Sequence, residues 1–386
     1  ARAHLVLQRQ KTDHLPFITR LETWYKSHQR NQSFPEAYRH LSLADLHGRL
    51  GIGQLKFMVP YALKLRRVEV SAWLEGERTF GEFEPEIENF PGMWDCVATD
   101  RPGVTLTKLS TPIGNLRIQH VLLPENVSSG TDPYLKEHLI KSEADYAIVE
   151  YILEHAEYVP RYDRLLTEQA VLGEDAWVVP LLHRIPFQQA LLEYLGETSL
   201  FYALYDAPGK VEHLLTLLDA QLVEILHQLE SFSVPYVEFP DNLHGLITNP
   251  KLFQAYCIPA YQKYTAILHQ QGKWVGSHMD GDIRPLLRWI PETGLDVCES
   301  FSPAPLTPCT LEEALEAMPD GPVLWGAIPS PLLEQTTSEA DFHMRIHQIL
   351  ELAKKGRVIL GITDLFLPHN SIERARYIAE LVNEGK

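Results

Sequence analysis

Several short segments carry side chains whose types and spacing suit chemistry. His278 and Asp280 stand two apart in SHMDGD, and on an extended segment positions i and i+2 face the same side. Imidazole and carboxylate together suit a divalent metal of borderline to hard character, Zn, Mn or Fe. Glu299 sits in an otherwise apolar run, DVCES. A carboxylate placed there is either aimed into an open mouth or matched by an internal Arg, because burying it alone is costly. Asp364 follows RVILGIT, and Asp241, Asn242, Leu243 and His244 follow PYVEF. Each group also has a plainer reading. Asp280-Gly281-Asp282 can form a turn, with Asp282 capping the next helix. Asp364 can close a loop, and Asn242 and His244 can bind their own backbone. Cys298 and Cys257 read as small buried hydrophobes, and Trp274 and Trp325 as packing residues.

These residues need elements to hold them. Short β-branched and aromatic runs at 176–182, 235–239, 273–277, 296–300, 322–326 and 357–362 alternate with stretches of helical length at 209–230, 250–271, 283–289, 311–318, 340–354 and 371–382. Within 209–230, Leu214, Leu215, Leu218, Leu222, Ile225 and Leu226 recur at three- and four-residue steps, the period of a helix with one apolar face. Strand–helix alternation of this kind signals βα units on a parallel sheet. So many consecutive units lead to a (β/α)8 TIM barrel, whose first two strands are expected at 16–21 and 68–74. The alternation from Thr105 to Leu123, turning at 112–115, reads as a β-hairpin insertion. One domain spanning 1–386 is expected, with 1–150 an N-terminal elaboration and 151–386 the regular units. In such a barrel chemistry collects at the C-terminal strand ends, where four of five consecutive strand ends here deliver a carboxylate.

Composition excludes other classes. The chain of 386 residues carries 34 Lys and Arg against 51 Asp and Glu, a formal net charge of −17. That charge repels phosphate backbones and anionic lipid, and no basic patch offsets it, so neither nucleic acid nor a membrane is an expected partner. With 45% apolar and 22% charged residues, the composition is that of a folded globular protein. The four cysteines form no CxxC pair, which speaks against a disulfide framework. No signal-peptide core or apolar run of about 18 residues occurs, and a cytoplasmic location is the expectation.

GKWVGSHMDGDIRPLLRWIPETGLDVCESFSPAP, with the later VLWGAIPS and RVILGITDLFLP, resembles the uroporphyrinogen decarboxylase (URO-D) superfamily, closest to its methyltransferase-like branch. KTDHLPFITRLETWY resembles the family's N-terminal segment, and TPIGNL a hairpin insertion of that branch. The decarboxylases use an arginine-bearing N-terminal motif and a Phe-Ser-Asp segment. Here the first is reduced to Arg20 and the second is missing, and an acidic protein is a poor setting for a polycarboxylate. The methyltransferase branch holds zinc on a His-x-Cys pair and a later Cys, and zinc then activates a thiol for methyl transfer. His278 matches that His, while Asp280 and Asp364 stand where the two Cys would be.

The resemblance implies a methyltransferase acting on a small methylated substrate, with a corrinoid, a corrinoid protein or a thiol as partner. A divalent metal, zinc foremost, would be held by His278, Asp280, Glu299 and Asp364. His278, Asp280 and Glu299 would also act in catalysis, and Arg20, Asn242 and His244 would orient the substrate. The alternatives are a decarboxylase of uroporphyrinogen or of another carboxylated ligand, and a barrel that binds a ligand without turnover.

Overall fold

Apolar runs too short for helices form the central parallel strands in a computed structural model that describes residues 2–88, 101–363 and 365–384. These strands are β1 (Ile18–Thr19), β2 (Gly53–Met58), β3 (Ala176–Pro180), β4 (Tyr236–Phe239), β5 (Trp274–His278), β6 (Val297–Phe301), β7 (Val323–Pro329) and β8 (Val358–Thr363). They make a three-stranded parallel sheet in the order β1-β2-β3 and a five-stranded one running in sequence from β4 to β8. Single parallel bridges link the two sheets at both edges, Phe17 to Leu360 and Leu181 to Glu238. The Leu360 N–H donates to Pro16 O, and the Leu182 N–H to Glu238 O, each at 2.8 Å. Every residue of β4, β6, β7 and β8 is buried, as expected of parallel strands covered on both faces.

Helices return the chain between strands. Glu339–Lys355 buries Phe342, Ile346, Leu350 and Ala353, and its first turn is closed by Ser338, whose hydroxyl accepts the Asp341 N–H. Ser371 caps Ile372–Asn383 in the same way, satisfying donors that a helix start leaves open. The helix expected at 283–289 is only a 3-10 turn, Arg284–Leu286. Asp282 nevertheless acts as a local cap, its Oδ1 accepting the Arg284 N–H at 3.0 Å.

The second strand expected at 68–74 is corrected. Glu69–Leu74 pairs antiparallel with both Glu77–Phe83 and Gly103–Thr111. The parallel sheet uses Gly53–Met58 instead, whose Gln54 and Lys56 dilute its apolar signal. Strict alternation, as in EVSAWL, suits a strand with one wetter face. The hairpin is present as Gly103–Thr111 and Gly114–Leu122, with Thr111 opposite Gly114 across Pro112 and Ile113. It belongs to a five-stranded antiparallel sheet inserted between β2 and β3.

From the parallel strands, Leu55, Val179, Tyr236, Val297, Val323, Trp325 and Ile359 form a buried cluster with Ala3, Val6 and Leu7 of the N-terminal helix Arg2–Leu7. Side chains two residues further along β4 and β6, Glu238 and Glu299, lie on the same strand faces, one layer nearer the C-terminal ends.

Candidate functional site

Strand register gathers three titratable side chains. His278, the last residue of β5, lies directly opposite Glu299 of β6, and Gly276 of β5 lies opposite Glu238 of β4. One ligand atom from each of Glu238, His278 and Glu299 falls within 4.8 Å of the others, the one such grouping of metal-binding side chains among the described residues. His278 Nδ1 is 2.5 Å from Glu299 Oε2 and 4.0 Å from Glu238 Oε1. Its other nitrogen, Nε2, is 3.7 Å from Asp280 Oδ2. The imidazole therefore stands between two buried glutamates on one side and Asp280 on the other.

Glu238 is fully buried. Its Oε2 accepts a short hydrogen bond from the Tyr236 hydroxyl, and its other oxygen, Oε1, faces His278 Nδ1 at 4.0 Å. Gly276 makes room for this pair, because a Cβ at that position would fall on the Tyr236 hydroxyl. Burial first, and then the charge of Glu299, pushes the Glu238 carboxyl far above the carboxylate range. Burial also opposes ionisation of Glu299, but the neighbouring His278 and then Arg20 outweigh it and hold Glu299 low. Desolvation would lower His278; Glu299 and Asp280 overcome it and raise the imidazole well above its ordinary value. Asp280, despite burial, is held down to about 2 by His278 and by a hydrogen bond from Asn242. Without a bound cation the site thus holds a neutral Glu238, an imidazolium and two carboxylates. The Glu238 carboxyl, beside the ring nitrogen already flanked by Glu299, fits a cation as well as it fits a proton. An N,O,O donor set suits Zn, Mn or Fe.

The residues singled out in the sequence fall as follows. His278, Asp280 and Glu299 come together, with Asp280 on the opposite ring nitrogen from the two glutamates. Arg20 follows β1, stacks over Phe57 at 5.3 Å, and lines a small internal void with Glu299, Ser300 and Thr363. Asn242 donates from Nδ2 to Asp280 Oδ2 at 3.1 Å and accepts from Arg184 Nη2 at 2.8 Å. His244 takes its backbone-binding alternative, with Nδ1 accepting the Leu246 N–H at 3.3 Å. Asp364 lies outside the described residues. Asp241 ties strand ends together: its carboxylate accepts from Tyr261, Ser277 and the Ile185 N–H. Cys257 and Cys298 are buried, their thiols pushed up chiefly by desolvation. The Trp325 indole donates to Ile18 O, a packing role.

Sequence reasoning missed Glu238, Tyr236, Arg184 and Glu193. The signal for Glu238 was present, since it interrupts an apolar strand as Glu299 does. Arg184 and Glu193 gave none, being ordinary charged residues until the fold buries them. Backbone strain marks the same region. Of eight non-glycine residues with positive φ among the described residues, Asn242 (50°), Ser300 (57°) and Ala327 (73°) lie at or near the C-terminal ends of β4, β6 and β7. Such outliers concentrate at functional sites.

Residues 195–385 match the family model for uroporphyrinogen decarboxylase (URO-D). No curated protein matches the chain in sequence. The fold is similar to the solved structure of a methyltransferase from Methanosarcina mazei, with a TM-score of 0.59 and 12% identity, over 100% of this chain and 98% of that one. On this family match the chain belongs to the uroporphyrinogen decarboxylase superfamily.

Proposed function

We propose that this chain is a methyltransferase on a closed (β/α)8 barrel, one domain throughout, acting on a small methylated substrate with a divalent metal held by Glu238, His278 and Glu299. The bridges from Phe17 to Leu360 and from Leu181 to Glu238 support closure. The observation that carries the metal is the convergence of Glu238, His278 and Glu299, one ligand atom from each within 4.8 Å of the others, with Glu238 Oε1 on the His278 Nδ1 side where Glu299 also lies. Two buried carboxyls this close hold one proton between them when no cation is bound, and a cation shared with Nδ1 and Glu299 would take that proton's place.

Zinc in such a site lowers the pKa of a bound thiol and presents it as a thiolate for methylation. The chain's own residues would prepare the site for that chemistry. Glu299 stays ionised beside Arg20, Tyr236 orients Glu238 by its hydrogen bond, and Asp280 holds the outer ring nitrogen of His278. Asp364, which follows Thr363 in the sequence and lies outside the described residues, is kept as a proposed additional ligand on the family resemblance alone. An oxygen-rich set leaves a more electrophilic metal than sulfur ligands would. The fold likeness to a methyltransferase supports methyl transfer, and a corrinoid protein is the proposed methyl carrier. The absence of a transmembrane candidate among the described helices is compatible with the expected cytoplasmic setting.

The test is the metal content of the purified protein, with Glu238→Gln and His278→Ala alongside. Stoichiometric zinc that both variants lose is the expected result, and no metal after zinc reconstitution of the native protein would refute the metal site. Incubation with methylcobalamin and a thiol then reads methyl transfer directly, through loss of the methyl-cobalt absorption band.

A further inference from the structure

Asp280 reaches His278 from the opposite side to the two glutamates, and a buried ion pair determines how it is held. Arg184 follows β3 and Glu193 lies on the helical turn Ala190–Leu195; both are nearly or fully excluded from water. The Arg184 guanidinium divides its fork, with Nη1 donating to Glu193 Oε1 at 3.1 Å and Nη2 to Asn242 Oδ1 at 2.8 Å. A guanidinium only donates, so Asn242 must turn its Oδ1 toward Arg184. That leaves its Nδ2 for Asp280, at 3.1 Å. Asp280 Oδ2 is thereby held 3.7 Å from His278 Nε2, facing that side of the imidazolium, while Nδ1 faces Glu238 and Glu299. Were the amide reversed, Oδ1 would face Asp280, acceptor against acceptor.

We infer that the buried Glu193–Arg184 pair is a positioning device which, acting through Asn242 and Asp280, fixes which nitrogen of His278 faces the acidic pair. It rests on the metal reading only for the ligand role of His278; the geometry it explains needs no ion. Arg184 and Glu193 act through other side chains, so they position rather than catalyse. Outer partners of a ligating histidine set its tautomer and orientation in the same way in metal sites generally.

The test uses the full chain with 15N-labelled histidine rings, free of metal in chelator, and assigns His278 by comparison with His278→Gln. Asn242→Asp keeps an acceptor for Arg184 and removes the donor to Asp280. The double variant Arg184→Met/Glu193→Met removes the buried pair together, so that neither charge is left alone. Both should move the His278 Nε2 resonance in the same direction and open it to exchange with water, leaving the other histidines in place. A folded double variant with unchanged His278 resonances would overturn the inference, whatever Asn242→Asp does. If the double variant does not fold, Arg184→Lys replaces it, because one ammonium cannot reproduce the divided fork and the same shift is expected.

Zinc titration separates this inference from the functional reading. A native protein that takes no zinc refutes the metal, while the ring-nitrogen comparison still decides the positioning role. If zinc binds, the pair variant should lose roughly 10- to 100-fold in affinity, as outer-partner changes do.

Discussion

Replacing Glu238 by Gln should change stability in opposite directions with and without zinc. Gln copies the shape of the protonated carboxyl and cannot ionise. In chelator, burial and Glu299 hold Glu238 far above the carboxylate range. A carboxyl whose folded pKa is raised favours folding fully only below its unfolded value, about 4.3, and that advantage is lost as pH rises above it. Metal-free Glu238→Gln should therefore melt at or above the native protein, with the gap widening from pH 5 to pH 8. With zinc the order reverses. At 100 times its dissociation constant a ligand stabilises by about 2.7 kcal/mol. A 100-fold loss of affinity would leave roughly 0.4 kcal/mol of that by the same relation. With an unfolding entropy of about 2.1 cal/mol/K per residue, this chain should lose roughly 3 °C of its zinc-induced rise in melting temperature. Differential scanning calorimetry with and without zinc reads both signs. Equal zinc-induced rises in the native protein and the variant would refute the role of Glu238 as a ligand, and a variant less stable in chelator at pH 8 would refute the protonated carboxyl.

Two other perturbations probe the same region. Gly276→Ala places a methyl on the Tyr236 hydroxyl and should cost about 1–3 kcal/mol as overpacking, measured as a lower urea midpoint; a neutral result would mean that the Tyr236–Glu238 hydrogen bond is readily displaced. Asp280, held down to about 2, contributes stability that is full above the unfolded aspartate value and is lost as pH falls from about 4 toward 2. In chelator the native protein should lose more stability over that window than Asp280→Asn, and parallel pH profiles in urea denaturation would contradict the assignment.

Much of this protein follows from its sequence. The short apolar runs and helical periods mark the βα units because burial on both faces requires continuous apolar strands. His278, Asp280 and Glu299 were visible because a polar side chain at a strand end stands out against such runs. Other features were decided only in three dimensions. The place of β2 went to a segment carrying Gln54 and Lys56 because the parallel neighbours β1 and β3 supplied its pairing, which local pattern does not record. Glu238 joined His278 through strand register, and Asp280 was set on the far ring nitrogen through Asn242. Arg184 and Glu193 became a buried pair only once the fold excluded water from them. A sequence displays residue types and periods, whereas the energy of a charge depends on what surrounds it, and the packed structure alone supplies that environment.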